Sequence, residues 1–363
     1  MQIQSANHPS RSLFGYLPYG APAHLYTLEN RAKTRVKVSD FGATLVSVET
    51  VDQRGNLADI VLGFDSVEDY AADSNPYFGA SVGRFGNRIA HGRFRLDDQD
   101  YQLVTNNDPG GIPCHLHGGT LGFNRRPWKV VDQEAQSITF EYLSPDGEEG
   151  YPGNLTARIT YRLTEDNELH WEASATTDKA TPINLVNHTY WNLSGLGSTS
   201  THDHILTLPS TEYLPATAGL IPTGERRSVM GTPMDFTTPT VIGSRVDEDF
   251  EALHFARGYD ACWILSETIT SELKLAGRVE HPTSGRTLEV YTNQPGVHFY
   301  AGNFLNETIR GKGGVPHPEN SGLCLETENF PDAPNHPHFP NCILRPGETY
   351  RHRMNLRFGI RRE

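Results

Sequence analysis

The stretch that decides the fold class reads LTARITYRLTEDNELHWEASA, from residue 155 to residue 175. Between residues 155 and 163 every second side chain is apolar, and the side chains between them are Thr or Arg. The pattern resumes after the polar turn 164–167, with apolar side chains at every second position from 169 to 175. An alternation of period two is typical of a strand that buries one face, so this stretch predicts an antiparallel β-hairpin.

Three further pairs of segments show similar alternation around short polar turns. They are 44–50 with 57–62, 94–96 with 101–104, and 128–131 with 138–143. One or two helical turns are predicted over 66–72, with Asp65 as the N-cap, and no long amphipathic helix is visible. We therefore expect a single all-β domain over residues 1–363, a large antiparallel β-sandwich with few short helices, whose first 12 or so residues are ragged.

The composition agrees with a β-rich chain and excludes some classes of partner. The 363 residues include 34 glycines and 24 prolines, which indicates many turns, and the formal net charge is −13. So acidic a chain is a poor binder of nucleic acid or anionic membrane, because binding a polyanion needs clustered cations. No apolar run is long enough to span a bilayer, no secretory signal is visible, and the four cysteines are scattered. We expect a cytoplasmic protein whose partner is a small molecule.

Two segments in the first third of the chain combine glycines with polar side chains. In GRFGNRIAHGRFR, residues 83–95, Asn87 and Arg88 offer donors suited to a hydroxyl-rich ligand, although the segment could equally be an arginine-rich surface hairpin. In HLHGG, residues 115–119, the histidines His115 and His117 stand two apart. They could form a metal pair, or His117 alone could contact a ligand, or both could be structural.

Two later segments carry candidate acid and base groups. NLVNHTYWNLSG, residues 184–195, places His188 among amides, which fits either a polar cavity or an ordinary structural histidine. LCLETENFPDAPNHP, residues 323–337, places Glu326 after an apolar approach that could raise its pKa into the range of a working base. Glu328 would face the same way on a continuous strand, and either carboxylate could instead be an ordinary solvent-facing residue.

Together these segments resemble the aldose 1-epimerase (galactose mutarotase) family. The similar pieces occur in family order along the chain: GRFGNRI at 83–89, LHGG at 116–119, NHTYWNL at 187–193, GYD at 258–260, TNQPG at 292–296 and LETENFPD at 325–332. Six ordered motifs are a specific signal. The resemblance implies a large antiparallel β-sandwich of the galactose mutarotase-like supersandwich type, forming one domain with no metal and no organic cofactor.

The resemblance also implies roles for particular residues. Glu326 matches the family's general base, His188 its general acid, and His117 a second histidine near the ring oxygen and C1 of the sugar. The residues that match binders of sugar hydroxyls are Asn87, Arg88, Asp260 and Gln294. Two features depart from the family pattern: the segment 106–115 is longer than usual, and Glu328 stands where Gln is more common.

The expected activity is the interconversion of α and β anomers of free hexopyranoses such as glucose and galactose. Ring opening needs a base at the C1 hydroxyl and an acid at the ring oxygen, and a carboxylate with an imidazole can serve as that pair. A hexose-6-phosphate 1-epimerase would need extra cations, for which Arg84, Arg93 and Arg95 are candidates. A non-catalytic carbohydrate-binding domain and a glycoside hydrolase using Glu326 with Glu328 or Asp260 are further alternatives. The sequence leaves the preferred sugar and the choice between monomer and homodimer open.

Overall fold

The structure, a computed structural model, describes residues 9–361, and strands dominate it. Two short helices interrupt the strands, α1 (Val67–Tyr70) and α2 (Glu251–Ala256). In chain order the strands are β1 (Ser10–Tyr16), β2 (Pro22–Glu29), β3 (Arg35–Ser39), β4 (Thr44–Val51), β5 (Leu57–Asp59), β6 (Ala80–Val82), β7 (Arg88–Ala90), β8 (Arg93–Leu96), β9 (Gln99–Gln102), β10 (Cys114–Leu116), β11 (Lys129–Glu134), β12 (Ser137–Ser144), β13 (Leu155–Leu163), β14 (Glu168–Thr177), β15 (Thr181–Pro182), β16 (Val186–His188), β17 (Tyr190–Trp191), β18 (Ile205–Thr207), β19 (Glu212–Leu214), β20 (Arg227–Ser228), β21 (Thr240–Val241), β22 (Asp260–Ile264), β23 (Lys274–Glu280), β24 (Arg286–Thr292), β25 (Gly296–Tyr300), β26 (Asn306–Arg310), β27 (Pro316–His317), β28 (Leu323–Glu328), β29 (Ile343–Leu344) and β30 (Tyr350–Ile360).

Three sheets contain most of these strands. The five-stranded sheet is a meander of β1 to β5 in chain order. The nine-stranded sheet has the order β11-β12-β13-β14-β30-β24-β23-β18-β21, and the six-stranded sheet the order β17-β28-β25-β22-β19-β20. Neighbouring strands within the three sheets pair antiparallel. The predicted antiparallel all-β class is confirmed.

The deciding stretch forms the predicted hairpin. Strands β13 and β14 pair from Leu155 opposite Thr177 to Leu163 opposite Leu169. The alternating apolar side chains of both strands are buried, and the Thr and Arg side chains between those of β13 are half-buried or exposed. The other three hairpins are also present, as β4 with β5, β8 with β9, and β11 with β12.

Two details at the N-terminal side differ from expectation. The N-cap of α1 is Ser66 rather than Asp65, because the Ser66 hydroxyl accepts a hydrogen bond from the backbone N–H of Asp69. Strand β1 starts at Ser10, which pairs with Thr27, so residues 10–12 are not ragged. The expectation for residues 1–8 lies outside the described residues.

One cluster of buried apolar side chains joins the three large sheets. It contains Val36 and Leu45 from the five-stranded sheet, Trp171 from the nine-stranded sheet, and Trp263 and Phe299 from the six-stranded sheet. Strand β13 contacts β2, and β23 contacts β25, so the nine-stranded sheet packs against both of the others. The assignment of residues 1–363 to one domain stays a prediction. No helix within residues 9–361 combines the length and apolar character needed to cross a bilayer.

The six-stranded sheet has two very different buried faces at β22, β25 and β28. Val297, Phe299 and Leu325 belong to the apolar cluster on one face. Opposed residues of neighbouring antiparallel strands share a face, and Cys262, His298 and Glu326 form one such row. Residues two positions away lie on that same face, and they add Asp260, Tyr300, Cys324 and Glu328. A polar layer is thereby buried on the side of the sheet that faces away from the apolar cluster.

Candidate active site

A cavity of about 340 Å³ lies against this polar layer. That volume is in the range of pockets that enclose small molecules. Its walls are formed by Pro76, Tyr77, Asn87, Arg88, Asn107, Asp108, Pro109, Leu116, His117, His188, Tyr190, Leu220, Asp260, His298, Tyr300, Phe304 and Glu326. Six of the seven predicted site residues are among them, and Gln294 is not.

His188 and Glu326 come from different sheets and lie next to each other on the wall of this cavity. Glu326 lies in β28, and His188 is the last residue of β16, where it pairs with Ala80 of β6. His188 Nε2 lies 3.6 Å from Glu326 Oε1, and its Nδ1 lies 3.7 Å from the sulfur of Cys324. An imidazole and a carboxyl group distant in the sequence therefore form a buried pair.

Burial shifts the two members of this pair in opposite directions. Loss of water around the carboxyl raises the pKa of Glu326 well above its ordinary value, and the nearby Glu328 and Asp260 add to the increase, against the opposing charge of His298. Burial lowers the pKa of His188 to about 4. Both shifts favour the uncharged form of the group, because burial penalises a charge on either side chain.

His117 is fixed by its backbone and by Asn87. It follows β10 with a φ of 49°, and Gly118 comes next with a φ of 85°. A Cβ at residue 118 would lie 1.6 Å from the Gly83 carbonyl oxygen, so only glycine fits. His117 Nδ1 accepts a hydrogen bond of 3.1 Å from the Asn87 backbone N–H. Burial, with the neighbouring His188 and Arg88, lowers the pKa of His117 well below its ordinary value, so the neutral ring carries its proton on Nε2.

His115 does not share this site, so the interpretation of His115 and His117 as a metal pair is wrong. His115 Nδ1 lies 2.6 Å from the Val104 carbonyl oxygen, and its Nε2 lies 2.7 Å from the Tyr151 hydroxyl. Strand β10 ends at Leu116, so the two histidines do not lie on one continuous strand.

The ligating atoms of His117, His188 and Glu326 lie within 4.8 Å of one another, a spacing that could hold a cation. The hydrogen bonds favour a different use. Because His117 Nδ1 already accepts from a backbone N–H, the neutral ring presents a donor at Nε2 rather than a lone pair.

The polar side of the cavity is formed by Arg88, Asn87 and Asp260. Arg88 Nε donates to Asn107 Oδ1 at 3.3 Å, and the Asn87 amide nitrogen donates to Glu328 Oε1 at 3.2 Å. Asp260 Oδ1 lies 2.5 Å from His298 Nε2. Burial alone would raise the pKa of Asp260, but the hydrogen bond from His298 and the charges of His298 and Arg88 outweigh it and lower the pKa. Asp260 is therefore a carboxylate that can accept from ligand hydroxyls.

Glu328 and Gln294 do not line the cavity. Glu328 is completely buried, and its pKa is raised by loss of solvent despite the neighbouring His298, whose Nδ1 lies 3.4 Å from Glu328 Oε1. The Gln294 amide nitrogen donates to Asn293 Oδ1 at 3.2 Å, and its carbonyl oxygen has no partner among residues 9–361. The role of Gln294 in sugar binding stays a prediction.

Residues that sequence reasoning missed complete the cavity. His298 was hidden in GVHFY, a run typical of a buried strand, and the signal that could have found it is a lone histidine among strand residues that are otherwise apolar or aromatic. Tyr77 packs its ring 4.7 Å from His117 and 5.8 Å from His188, centre to centre. Tyr190 and Tyr300 add two more aromatic walls. Aromatic faces of this kind suit the apolar face of a sugar ring.

Several polar residues in the same motifs have structural partners instead. The Asn184 amide nitrogen donates to the Gly86 carbonyl, and its oxygen accepts from the Asn329 backbone N–H. Asn184 thereby links the segment 83–95 to the segment 323–337. The Arg84 guanidinium is buried and donates to Ser144, Pro152 and Thr181. Arg93 and Arg95 are exposed and do not line the cavity.

Fold and cavity together define a class of protein, an antiparallel β-sandwich with a buried acid–base pocket for a small polar ligand. The family model described as aldose 1-epimerase matches residues 24–357. The galactose mutarotase of Bos taurus is 43% identical over 354 residues, which covers 97% of this chain and 98% of that protein. The aldose 1-epimerase of Escherichia coli K12 is 40% identical over 92% of this chain and 94% of its own length. The chain belongs to the aldose 1-epimerase family.

Solved structures agree with this assignment. An aldose epimerase homologue from C. elegans superposes with a TM-score of 0.85 at 29% identity, covering 94% of this chain and 100% of that one. The galactose 1-epimerase of Lactobacillus acidophilus gives a TM-score of 0.81 at 28% identity, covering 98% and 100%. The fold is that of the galactose mutarotase-like proteins.

Proposed function

We propose that this protein is an aldose 1-epimerase that interconverts the α and β anomers of free hexopyranoses such as glucose and galactose. The observation that supports this most strongly is the 3.6 Å approach of His188 Nε2 to Glu326 Oε1 at a cavity that Asn87, Arg88 and Asp260 also line. A matched acid and base on one small ligand are what opening a hemiacetal requires.

The reaction balances with one shared proton. Glu326, as carboxylate, takes the proton of the C1 hydroxyl while His188, as imidazolium, gives a proton to the ring oxygen, so the C1–O5 bond breaks and an aldehyde forms. Rotation about C1–C2 presents the other carbonyl face. The O5 hydroxyl then attacks C1, His188 recovers its proton, and Glu326 returns its proton to the carbonyl oxygen.

Sugar binding must therefore stabilise an ionised Glu326 beside a protonated His188. The cations that stabilise an ionised Glu326 are His298 and Arg88, because both lower its pKa. Neutral His117, with its proton on Nε2, is a donor to the ring oxygen or the C1 oxygen. Arg88, Asn87 and Asp260 would bind the remaining hydroxyls and leave C1 free to rotate.

A phosphorylated sugar is a poorer candidate. A phosphate at C6 calls for additional cations in the pocket, yet the Arg84 guanidinium is occupied by Ser144, Pro152 and Thr181, and Arg93 and Arg95 do not line the cavity. A non-catalytic binding domain would have no use for a buried acid–base pair. A glycoside hydrolase would release product from aryl glycosides, which we expect this protein to leave intact.

The setting of the enzyme is part of the proposal. Cys114, Cys262, Cys324 and Cys342 are all buried and unpaired, which fits a reducing compartment, and we place the enzyme in the cytoplasm. The partner is a free aldose, bound by a monomer or homodimer.

The direct test is polarimetry on freshly dissolved α-glucose and α-galactose, with glucose 6-phosphate as the charged comparison. We expect the protein to accelerate the approach to rotational equilibrium for the free sugars. A rate equal to that of buffer alone on every aldose tried would contradict the proposal.

A further inference from the structure

His298 occupies an unusual position in the polar layer. It stands in β25 between Cys262 of β22 and Glu326 of β28, and these three residues are directly opposed across the strands. Its ring nitrogens reach two carboxyl groups, Nε2 to Asp260 Oδ1 at 2.5 Å and Nδ1 to Glu328 Oε1 at 3.4 Å. The side chain is 7% exposed, so little water screens these contacts.

Charge balance decides the protonation of this ring. The groups that face His298 are Asp260 and Cys262 from β22, Glu326 and Glu328 from β28, Asn87 and Arg88 beside β7, and His117 and His188 across the cavity. Three of them are carboxyl groups, and Arg88 is the permanent cation among them. A buried carboxylate without a counter-charge is destabilised, and His298 is the side chain whose ring nitrogens lie against both Asp260 and Glu328.

We propose that His298 stays protonated between Asp260 and Glu328 and acts as a positioning residue that stabilises the ionised form of Glu326. This inference rests on the proposed anomer exchange, since it assigns how the base of that reaction is made available. Opposed residues on neighbouring antiparallel strands have Cβ atoms about 5 Å apart, so the imidazolium charge acts on Glu326 through a space from which water is excluded.

The alternative arrangement is a neutral ring. The Asn87 amide nitrogen lies 3.2 Å from His298 Nδ1, so a neutral Nδ1 could accept from it. That arrangement leaves Glu328 Oε1 with the Asn87 hydrogen bond alone, at 3.2 Å. Burial lowers the pKa of His298, but its hydrogen bond with Asp260 and the neighbouring Cys262 and Glu328 outweigh burial and raise the pKa well above the ordinary value. The raised pKa agrees with the position of the His298 ring between two carboxyl groups.

The test uses two variants with opposite expected effects on the pH profile of kcat/KM. His298→Gln removes the cation and keeps a donor, so the pKa of Glu326 rises and the acid limb moves up by about one pH unit, a roughly tenfold loss below the limb. Most of the rate returns at higher pH, and KM changes less than kcat. Glu328→Gln removes a negative neighbour, so the same limb moves to lower pH. His170→Gln is the matched control, because His170 is a half-buried histidine paired with Glu168 outside the cavity, and this variant leaves the limb in place.

If the two substitutions only disturb the structure, kcat/KM falls at every pH in both variants and the acid limb stays at the same pH. That result would overturn the inference. If the unaltered protein exchanges no anomers, the proposed function fails and the inference falls with it. If it is active and the limbs do not move, only the inference fails. A readout independent of activity is ¹⁵N NMR of labelled histidine, with the His298 signals assigned by their loss in His298→Gln or, if that variant does not fold, by their shift in Glu328→Gln. Two protonated ring nitrogens at pH 7.5 support the inference, and one contradicts it.

Discussion

Two sets of strands in this molecule treat their polar residues in opposite ways. The hairpin β13–β14 leaves half-buried or exposed the Thr and Arg side chains that alternate with its apolar ones. Strands β22, β25 and β28 instead bury both faces, and Asp260, His298, Glu326 and Glu328 lie where solvent-facing residues would be expected. The charged side chains of the hairpin remain in contact with water. The strands at the site bury ionisable side chains away from water, which lowers the stability of the folded state.

The contrast between the two regions is tested most directly by replacing Glu with Gln once at the site and once in the hairpin. Glu326→Gln should lower kcat by about 10²–10⁴-fold, since Gln cannot accept the C1 proton. Glu172→Gln, on the exposed side of β14, should leave polarimetric rates unchanged. Near-normal turnover by the Glu326 variant would remove that residue from the mechanism.

The same variant should also be more stable than the unaltered protein at neutral pH. The pKa of Glu326 is raised on folding, so its contribution to stability is present below the unfolded pKa and is lost as pH rises through the folded pKa. Gln has no such loss. The gain in Tm should therefore shrink as pH falls towards 4, and a Tm gain that does not depend on pH would contradict this explanation.

Substitutions on the apolar side of the hairpin should lower the free energy of unfolding and leave kcat nearly unchanged. Ile159 is completely buried in the shared core, and Ile159→Ala should lower the free energy of unfolding by roughly 2–5 kcal/mol. Arg162→Ala on the exposed face of β13 should change it by about 0.5 kcal/mol or less. Urea unfolding measures both, and kcat of the folded Ile159 variant should stay near normal. A large loss of kcat there would show that the two regions are coupled.

A third substitution separates chemistry from binding at the site. His188→Asn should lower kcat by about 10²-fold with a smaller change in KM, because the acid is used in the transition state. His170→Asn in β14 provides the matched control, since His170 is a half-buried histidine paired with Glu168 outside the cavity. A rise in KM with kcat unchanged would make His188 a binding residue only.

The smallest expected effect is on the pH dependence of stability, and it comes from a histidine in the nine-stranded sheet. Burial lowers the pKa of His352 to about 3, and its Nδ1 donates to the Leu185 carbonyl while Nε2 accepts from the Thr327 hydroxyl. A lowered histidine pKa gives stability that is present above the unfolded pKa of about 6.5 and is lost as pH falls. The stability gap between the protein and His352→Gln should narrow by about 1.4 kcal/mol per pH unit below 6.5. A constant gap between pH 7 and pH 5 in urea titrations would contradict it.

The same contrast between the hairpin and the site strands explains which features could be predicted from the sequence. The hairpins were predictable because water on one side enforces a period of two, as at Leu155 to Leu163. Glu326, His188 and His117 were predicted through motif resemblance, and the structure places all three on the walls of one cavity. His298 could not be found by periodicity, since both of its strand's faces are buried and a histidine between Val297 and Phe299 fits a core strand equally well.

Misjudged details have local causes. Asp65 and Ser66 are both good helix caps, but the Asp65 carboxylate accepts from the Gly313 backbone N–H, and the Ser66 hydroxyl accepts from the Asp69 N–H. The spacing of His115 and His117 suggested a common face, but the chain leaves the strand conformation at His117, with a positive φ. Sequence spacing predicts a shared face only while the strand continues.

Strand β30, residues 350–360, lies between β14 and β24 in the middle of the nine-stranded sheet. Within the nine-stranded sheet, β11 to β14 form one half and β24, β23, β18 and β21 form the other, and β30 is the strand that pairs with both. Pairing β14 with β30 closes a loop of well over a hundred residues, which is typical of slow folding. Until β30 is in place, each half-sheet has an open edge at which two partly folded chains can pair with each other.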